Sequence, residues 1–177
     1  MLNPPKPTLA SSPRVPPDPA ARTRPGHGLD GPSIVGVEFW DERPDPTDAD
    51  IEAVARVWIS YQERWADEMD PPYSDPEWWA VAAVIDANRD SRVEVLWRLV
   101  CKLCELADPD PDGVLGMVAA GPLYDYIVFR AGLARVEEAA PQDPKLLAAL
   151  AGVWSDQSIN ERIDRFLAAH GQKRLSG

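Results

Sequence analysis

A chain of 177 residues, 45% apolar and 27% charged, holds enough core-forming side chains for one domain and excludes a collagenous, coiled-coil or wholly disordered protein. Its 18 Lys and Arg against 29 Asp and Glu leave a formal net charge of -11, the opposite of the cationic footprint that nucleic-acid binding needs. A basic partner suits that charge. The longest apolar run, Trp78 to Ile85, is eight residues, well short of the roughly 18 that a membrane helix requires, so no membrane partner is expected.

Nine of the 19 Pro fall in residues 1–32, among Ser, Gly and Arg and few large apolar groups. Such a stretch buries too little surface to offset its ordering entropy, and a disordered, polyproline-like tail is expected there. The tail lacks the apolar centre of a secretory signal, and the two Cys sit at helical spacing, so reduced thiols and a cytoplasmic location are expected. Residues 33–40 alternate weakly and read as a short strand or extended segment. A single domain is expected over 33–177.

From Thr47 the pattern is helical. Thr47-Asp48-Ala49-Asp50 is a capping start, and Ile51, Val54, Trp58, Tyr61, Trp65 and Met69 follow on one face until the Pro71-Pro72 stop. Ser74-x-x-Glu77 with Pro76 opens a second helix to about Asn88, and Ser91-x-x-Glu94 opens a third. That third helix, over 92–107, is apolar on nearly every face and should be the most buried. A turn of helix over 114–120 is expected to end at a left-handed Gly121, with Pro122 starting the next. Further helices are expected over 122–131, 133–140, 144–154 and 158–169. Asp143-Pro144 and Ser158-x-x-Glu161 are their starts, and Gly171 a stop. The fold class is all-α: an irregular antiparallel helical bundle or a short stack of helical hairpins, with six to eight helices and the disordered N-terminal tail.

Motifs that carry chemistry are scarce. Cys101-x-x-Cys104 has zinc or redox spacing, but only His27 and His170 could complete a zinc set, and the pair lies mid-helix among Leu and Val. Buried core thiols are therefore expected, with no metal and no cofactor. No serine elbow or phosphate loop is present. Without a nucleophile to activate, neither His reads as catalytic, and His170 reads as a helix C-terminal cation. Asp86, Asp90 and Glu94 recur at i, i+4 and i+8 and read as a solvated acidic face.

The charge is localised. Residues 38–77 hold 13 acids against Arg43, Arg56 and Arg64, and by Trp79 eight of the 14 aromatics have appeared. Trp58 and Trp65 fit the core stripe. Trp40, Tyr73 and one of the pair Trp78/Trp79 are expected as exposed anchors. With Asp41, Glu42, Glu63, Asp67 and Glu68 they make the expected partner surface, because aromatics carry hot-spot energy and carboxylates steer a cationic partner.

Pro76-Glu-Trp-Trp-Ala80, the Leu96-Trp97 helix, Ala119-Ala-Gly-Pro-Leu123 followed by Asp125, Asp143-Pro144, Leu150 and Val153-Trp154 together resemble a family of small bacterial helical domains of unknown function. The resemblance spans roughly residues 50–165. It implies an all-α domain and an acidic residue after the Ala-Gly-Pro-Leu corner, where this chain has Tyr124.

The leading functional expectation is a non-enzymatic acidic protein-binding module, of the immunity or antitoxin type, that inhibits a basic bacterial toxin. A second reading is a small ligand-binding or enzymatic domain with a pocket at Gly121, Pro122, Tyr124 and Asp125, where a helix start could hold an anion. A third is a structural subunit of a bacterial assembly.

Overall fold

The computed structural model describes residues 39–40, 45–66, 68, 72–88, 92–110 and 112–175. The chain divides into two units, 1–32 and 33–177, and every described residue belongs to the second. The Pro-rich tail and most of the expected strand lie outside the described residues, and Phe39-Trp40 forms a turn. The fold is all-α, with no strand among the described residues.

Helix α1 spans Asp48–Arg64 and starts as its cap dictates: the Thr47 hydroxyl accepts the Asp50 N–H at 3.2 Å, and the Asp50 carboxylate accepts the Thr47 N–H at 2.8 Å. Ile51, Val54, Trp58 and Tyr61 are buried along one stripe. The helix stops at the Trp65 cap rather than at Met69, which lies outside the described residues. The Trp65 indole N–H reaches into the following loop instead, donating to Asp75 Oδ2 at 3.1 Å.

Helix α2 spans Trp78–Ala87. The expected Ser74 box does not form. Asp75, held by Trp65 and by Arg64 at 3.5 Å, accepts the Glu77 N–H at 2.7 Å and takes the place a serine cap would fill. Ser91, the other expected box residue, lies outside the described residues.

Helix α3 spans Val93–Leu106 and is the centre of the bundle. Leu96, Leu99, Val100, Leu103 and Cys104 are fully buried in it, and it packs against α1 and α2, and against α4 (Val114–Val118), α5 (Tyr124–Phe129) and α7 (Pro144–Ala151). Its C-terminal carbonyls are capped from α7, where Lys145 Nζ donates to the Glu105 and Ala107 carbonyls at 2.8 and 2.7 Å.

The Gly121-Pro122 joint differs from its reading in sequence. Ala119–Leu123 is a π-turn that links α4 and α5 into one continuous helical rod. Gly121 is not left-handed, and Pro122 lies inside the rod. A wider π-turn accommodates a residue that lacks the amide proton and crowds the preceding carbonyl, so the helix need not break.

Helix α6 spans Leu133–Ala139, and a 3₁₀ turn over Ala140–Gln142 leads to Asp143, which caps α7 by accepting the Lys145 and Leu146 N–H groups. Helix α8 spans Gln157–Ala169. Its cap is Asp156 rather than Ser158, because the Asp156 carboxylate takes the Ser158 and Ile159 N–H groups at 2.9 and 3.0 Å and the Ser158 hydroxyl as well. Gly171 ends α8 at φ +70, with Gln172 N–H bonded to the Leu167 carbonyl and Gly171 N–H to that of Ala168, a Schellman closure.

Candidate functional site

The expected partner surface separates into exposed and buried parts. Tyr73 is 68% exposed and stands edge-on to Trp78 at 4.5 Å, and Trp78 in turn leans on the buried Tyr61 at 5.8 Å. An aromatic raised from the surface on an aromatic pedestal keeps its contact area presented at little entropic cost. Glu63 and Glu68 are exposed, and no ion pair engages either among the described residues. They lie on different sides: Glu68 follows the Trp65 turn, whereas Glu63 is two residues beyond the buried Tyr61 and so sits across α1 from it. Asp75 and Glu77 are instead committed to Arg64. Asp41, Glu42 and Asp67 lie outside the described residues.

Trp40, expected as an exposed anchor, is 1% exposed. Its indole N–H donates to the Ala83 carbonyl at 2.8 Å and its backbone N–H to Asp86 Oδ2 at 3.1 Å. Phe39 covers it edge-on at 4.7 Å and stacks on Trp79 at 5.4 Å, so that Trp79 is drawn into the same cluster and Trp78 is left as the candidate anchor of the pair. Asp86, read as solvated, is fully buried, and it pairs with Arg92 Nη1 at 2.5 Å. A carboxylate is tolerated there because the guanidinium and the Trp40 amide replace water. The signal was present in the sequence: Asp86 falls three residues after Ala83, on the stripe that buries Ala80, Ala83 and Ala87. Glu94, by contrast, is exposed and held by Arg135 through two bonds of 2.6 and 3.1 Å.

Around the Gly121 corner the four expected pocket residues do not converge. Pro122 is buried, Gly121 faces open space, and Tyr124 meets Phe129 edge-on at 6.0 Å. With no helix starting there, the corner offers no row of free N–H groups for an anion. Asp125 turns toward the end of α2. Partial burial holds its pKa above the ordinary carboxylate value, while the Arg130 charge and a hydrogen bond with Asn88 pull the other way. Arg130 also donates to the Asn88 side chain at 3.2 Å and to its carbonyl. A shallow, open surface pocket of about 310 Å³ lies one turn earlier, lined by residues that include Asp112, Met117, Ala120, Gly152, Trp154 and Leu175.

Cys101 and Cys104 are both free, Cys104 fully buried and Cys101 partly so. Burial pushes the Cys101 thiol up to about 11 and Cys104 further still, so both stay protonated at neutral pH and are poor nucleophiles. Among the described residues no three His, Cys, Asp or Glu side chains converge on a metal site. His170 closes α8, with Nδ1 at 2.8 Å from the Phe166 carbonyl and its ring against Phe166 at 4.3 Å. His27 lies outside the described residues. No described helix is long and apolar enough to cross a membrane.

A family described as "Family of unknown function (DUF6869)" matches residues 67–172. The match starts and ends later than the motif resemblance suggests. It takes in everything from the loop after α1 to the close of α8, including the π-turn and the buried Asp86. No curated protein and no solved structure matches the chain.

Proposed function

We propose that this chain, which belongs to the DUF6869 family of unknown function, is a non-enzymatic acidic binding module for a basic protein. In the most specific form of this reading it is an inhibitor that covers the cationic active-site surface of a bacterial toxin in the cytoplasm. The observation that carries the reading is the exposed Tyr73 braced on Trp78, in the part of the chain that holds nearly all the excess acid. Tyr73 would supply the buried contact at the centre of an interface, Glu63, Asp67 and Glu68 would accelerate encounter, and the net charge of -11 would suppress neutral and acidic competitors. Reduced, protonated thiols fit a cytoplasmic setting, since nothing in the fold depends on their oxidation.

The test is affinity capture from the source cell with three forms of the intact chain: the native sequence, Tyr73→Ala, and the triple change Glu63→Lys, Asp67→Lys, Glu68→Lys. The expected result is a basic protein held by the native chain, lost on charge reversal, and weakened about tenfold or more by Tyr73→Ala. Capture of no basic protein, or capture indifferent to both variants, overturns the reading.

A further inference from the structure

Helix α2 is apolar all round. Its sequence over Trp78–Ala87, Trp-Trp-Ala-Val-Ala-Ala-Val-Ile-Asp-Ala, holds one charged residue, Asp86, and that one is buried. At the helical period Ala80, Ala83, Val84 and Ala87 turn into the core, while Trp78, Val81, Ala82 and Ile85 share the opposite side. Ile85 is 57% exposed, and Trp78, Val81 and Ala82 are partly so. In a chain with a net charge of -11 the outward side of a surface helix would ordinarily carry charge, and a helix that is apolar on every side is one that is covered on every side.

The stripe is bulky at its ends and small in its middle. Tyr73, exposed and standing against Trp78 at 4.5 Å, extends one end. At the other end the 59% exposed Phe129 immediately precedes Arg130, whose guanidinium donates to Asn88 just beyond α2. A second α2 laid antiparallel, about a two-fold axis between positions 81 and 82, sets Trp78 opposite Ile85 of the second copy and Val81 opposite its Ala82. The small central side chains then lie where the two helices approach most closely.

The charges favour that arrangement. Beside the N-terminal end of α2, Asp75 and Glu77 share Arg64 and leave an excess of acid, whereas beside the C-terminal end Arg130 balances Asp125. An antiparallel pair sets each acidic end against a balanced one, and a parallel pair would bring the two acidic ends together. The stripe itself offers no carboxylate to a basic protein and no charge to repel a second copy. Exposed apolar patches of this kind measure a few hundred Å², so two copies would bury on the order of 1,000 Å² in total, the low end of specific interfaces and enough for a reversible dimer.

We propose that a second copy of this chain docks on the outward face of α2, giving an antiparallel, two-fold symmetric dimer closed by Trp78, Val81, Ala82 and Ile85. The dimer does not rest on the binding of a basic protein. Because Tyr73 stands on Trp78, the second copy and such a partner would contend for that end of the stripe.

Sedimentation of the full chain between about 5 and 500 µM reads the association directly. The native chain should pass from monomer to dimer across that range. Ile85→Glu and Ala82→Glu, each with a native-like far-ultraviolet circular dichroism spectrum, should associate at least roughly tenfold more weakly. Orientation is read by mixing: Val81→Lys should be monomeric alone and should pair with Ala82→Glu, because the antiparallel register sets position 81 of one copy opposite position 82 of the other. Pairing of the mixture also shows that both variants fold. A native chain that stays monomeric at every concentration overturns the dimer and leaves the face to another protein or to the chain's own N-terminal residues. Dimers that survive both glutamate variants lie on another face and overturn it as well, and a mixture that fails to pair overturns the antiparallel register.

Discussion

Asp86 shows how one residue's burial reorganises its surroundings. Its carboxylate joins the start of the described chain at Trp40 to the start of α3 at Arg92, so it acts as a staple between segments distant in sequence. Changing Asp86 to Asn keeps the shape but removes the negative charge that faces the Arg92 guanidinium, whose side chain is 10% exposed. We expect a loss of about 3 kcal/mol, read from urea unfolding. Asp125 makes a pH-dependent counterpart. Its folded pKa is raised by partial burial, so the folded state binds more proton than the unfolded state as that carboxyl titrates, and stability falls as pH rises through it. Asp125→Asn lacks this cost. The stability of the native chain minus that of Asp125→Asn should therefore shrink between pH 4 and pH 7 (roughly the upper side of the ordinary carboxylate range), and a difference that grows instead would contradict the burial argument.

At the scale of elements, the joint between α5 and α6 is the tightest. Ala131 is held at φ 51 in the left-handed region, and a Cβ on Gly132 would lie 2.2 Å from Tyr126 Cε1. The Tyr126 ring cannot move aside cheaply, since it stacks on Trp97 at 5.0 Å, and Arg135 covers Trp97 from 4.8 Å. Gly132→Ala should cost about 1–3 kcal/mol through overpacking. Ala131→Gly should stabilise the chain by up to about 1 kcal/mol through relief of the left-handed strain. Thermal unfolding of both variants checks the pair. The π-turn makes the same point about local signals. Gly-Pro reads as a break because each residue disfavours a regular helix, yet tertiary contacts hold α4 and α5 in line: Leu115, Val118, Leu123 and Ile127 all fall in one core.

The whole molecule carries a net charge of -11, and among the described residues its ion pairs are mostly on the surface, as with Arg56–Glu52 and Arg135–Glu94. Exposed pairs contribute little and are screened along with the excess charge. Self-repulsion of the uncompensated acids should be the larger effect, so the melting temperature should rise by a few degrees between 10 mM and about 200 mM NaCl, where the Debye length falls below about 10 Å. A fall over that range would mean that the surface pairs dominate. The same screening should slow association with a basic partner, which separates steering from stability in one salt series.

The all-α class, the order of the helices, the central place of α3 and the caps at Thr47, Asp143 and Gly171 were determined by the sequence alone, because helical periodicity and capping act over a few residues. Tertiary structure decided the rest. Which face Trp40 and Asp86 turn depends on a contact 46 residues apart in sequence. The cap that moved from Ser158 to Asp156 was chosen by the geometry of the neighbouring loop, where a carboxylate reaches two backbone N–H groups at once, and the Ser74 box gave way to Asp75, whose carboxylate takes the Glu77 N–H and the Trp65 indole N–H. The shallow surface pocket was invisible in sequence for the same reason: Asp112, Met117 and Trp154 carry no common motif, and only the packing of α4 against α7 and the return of the C-terminal segment bring them to one place.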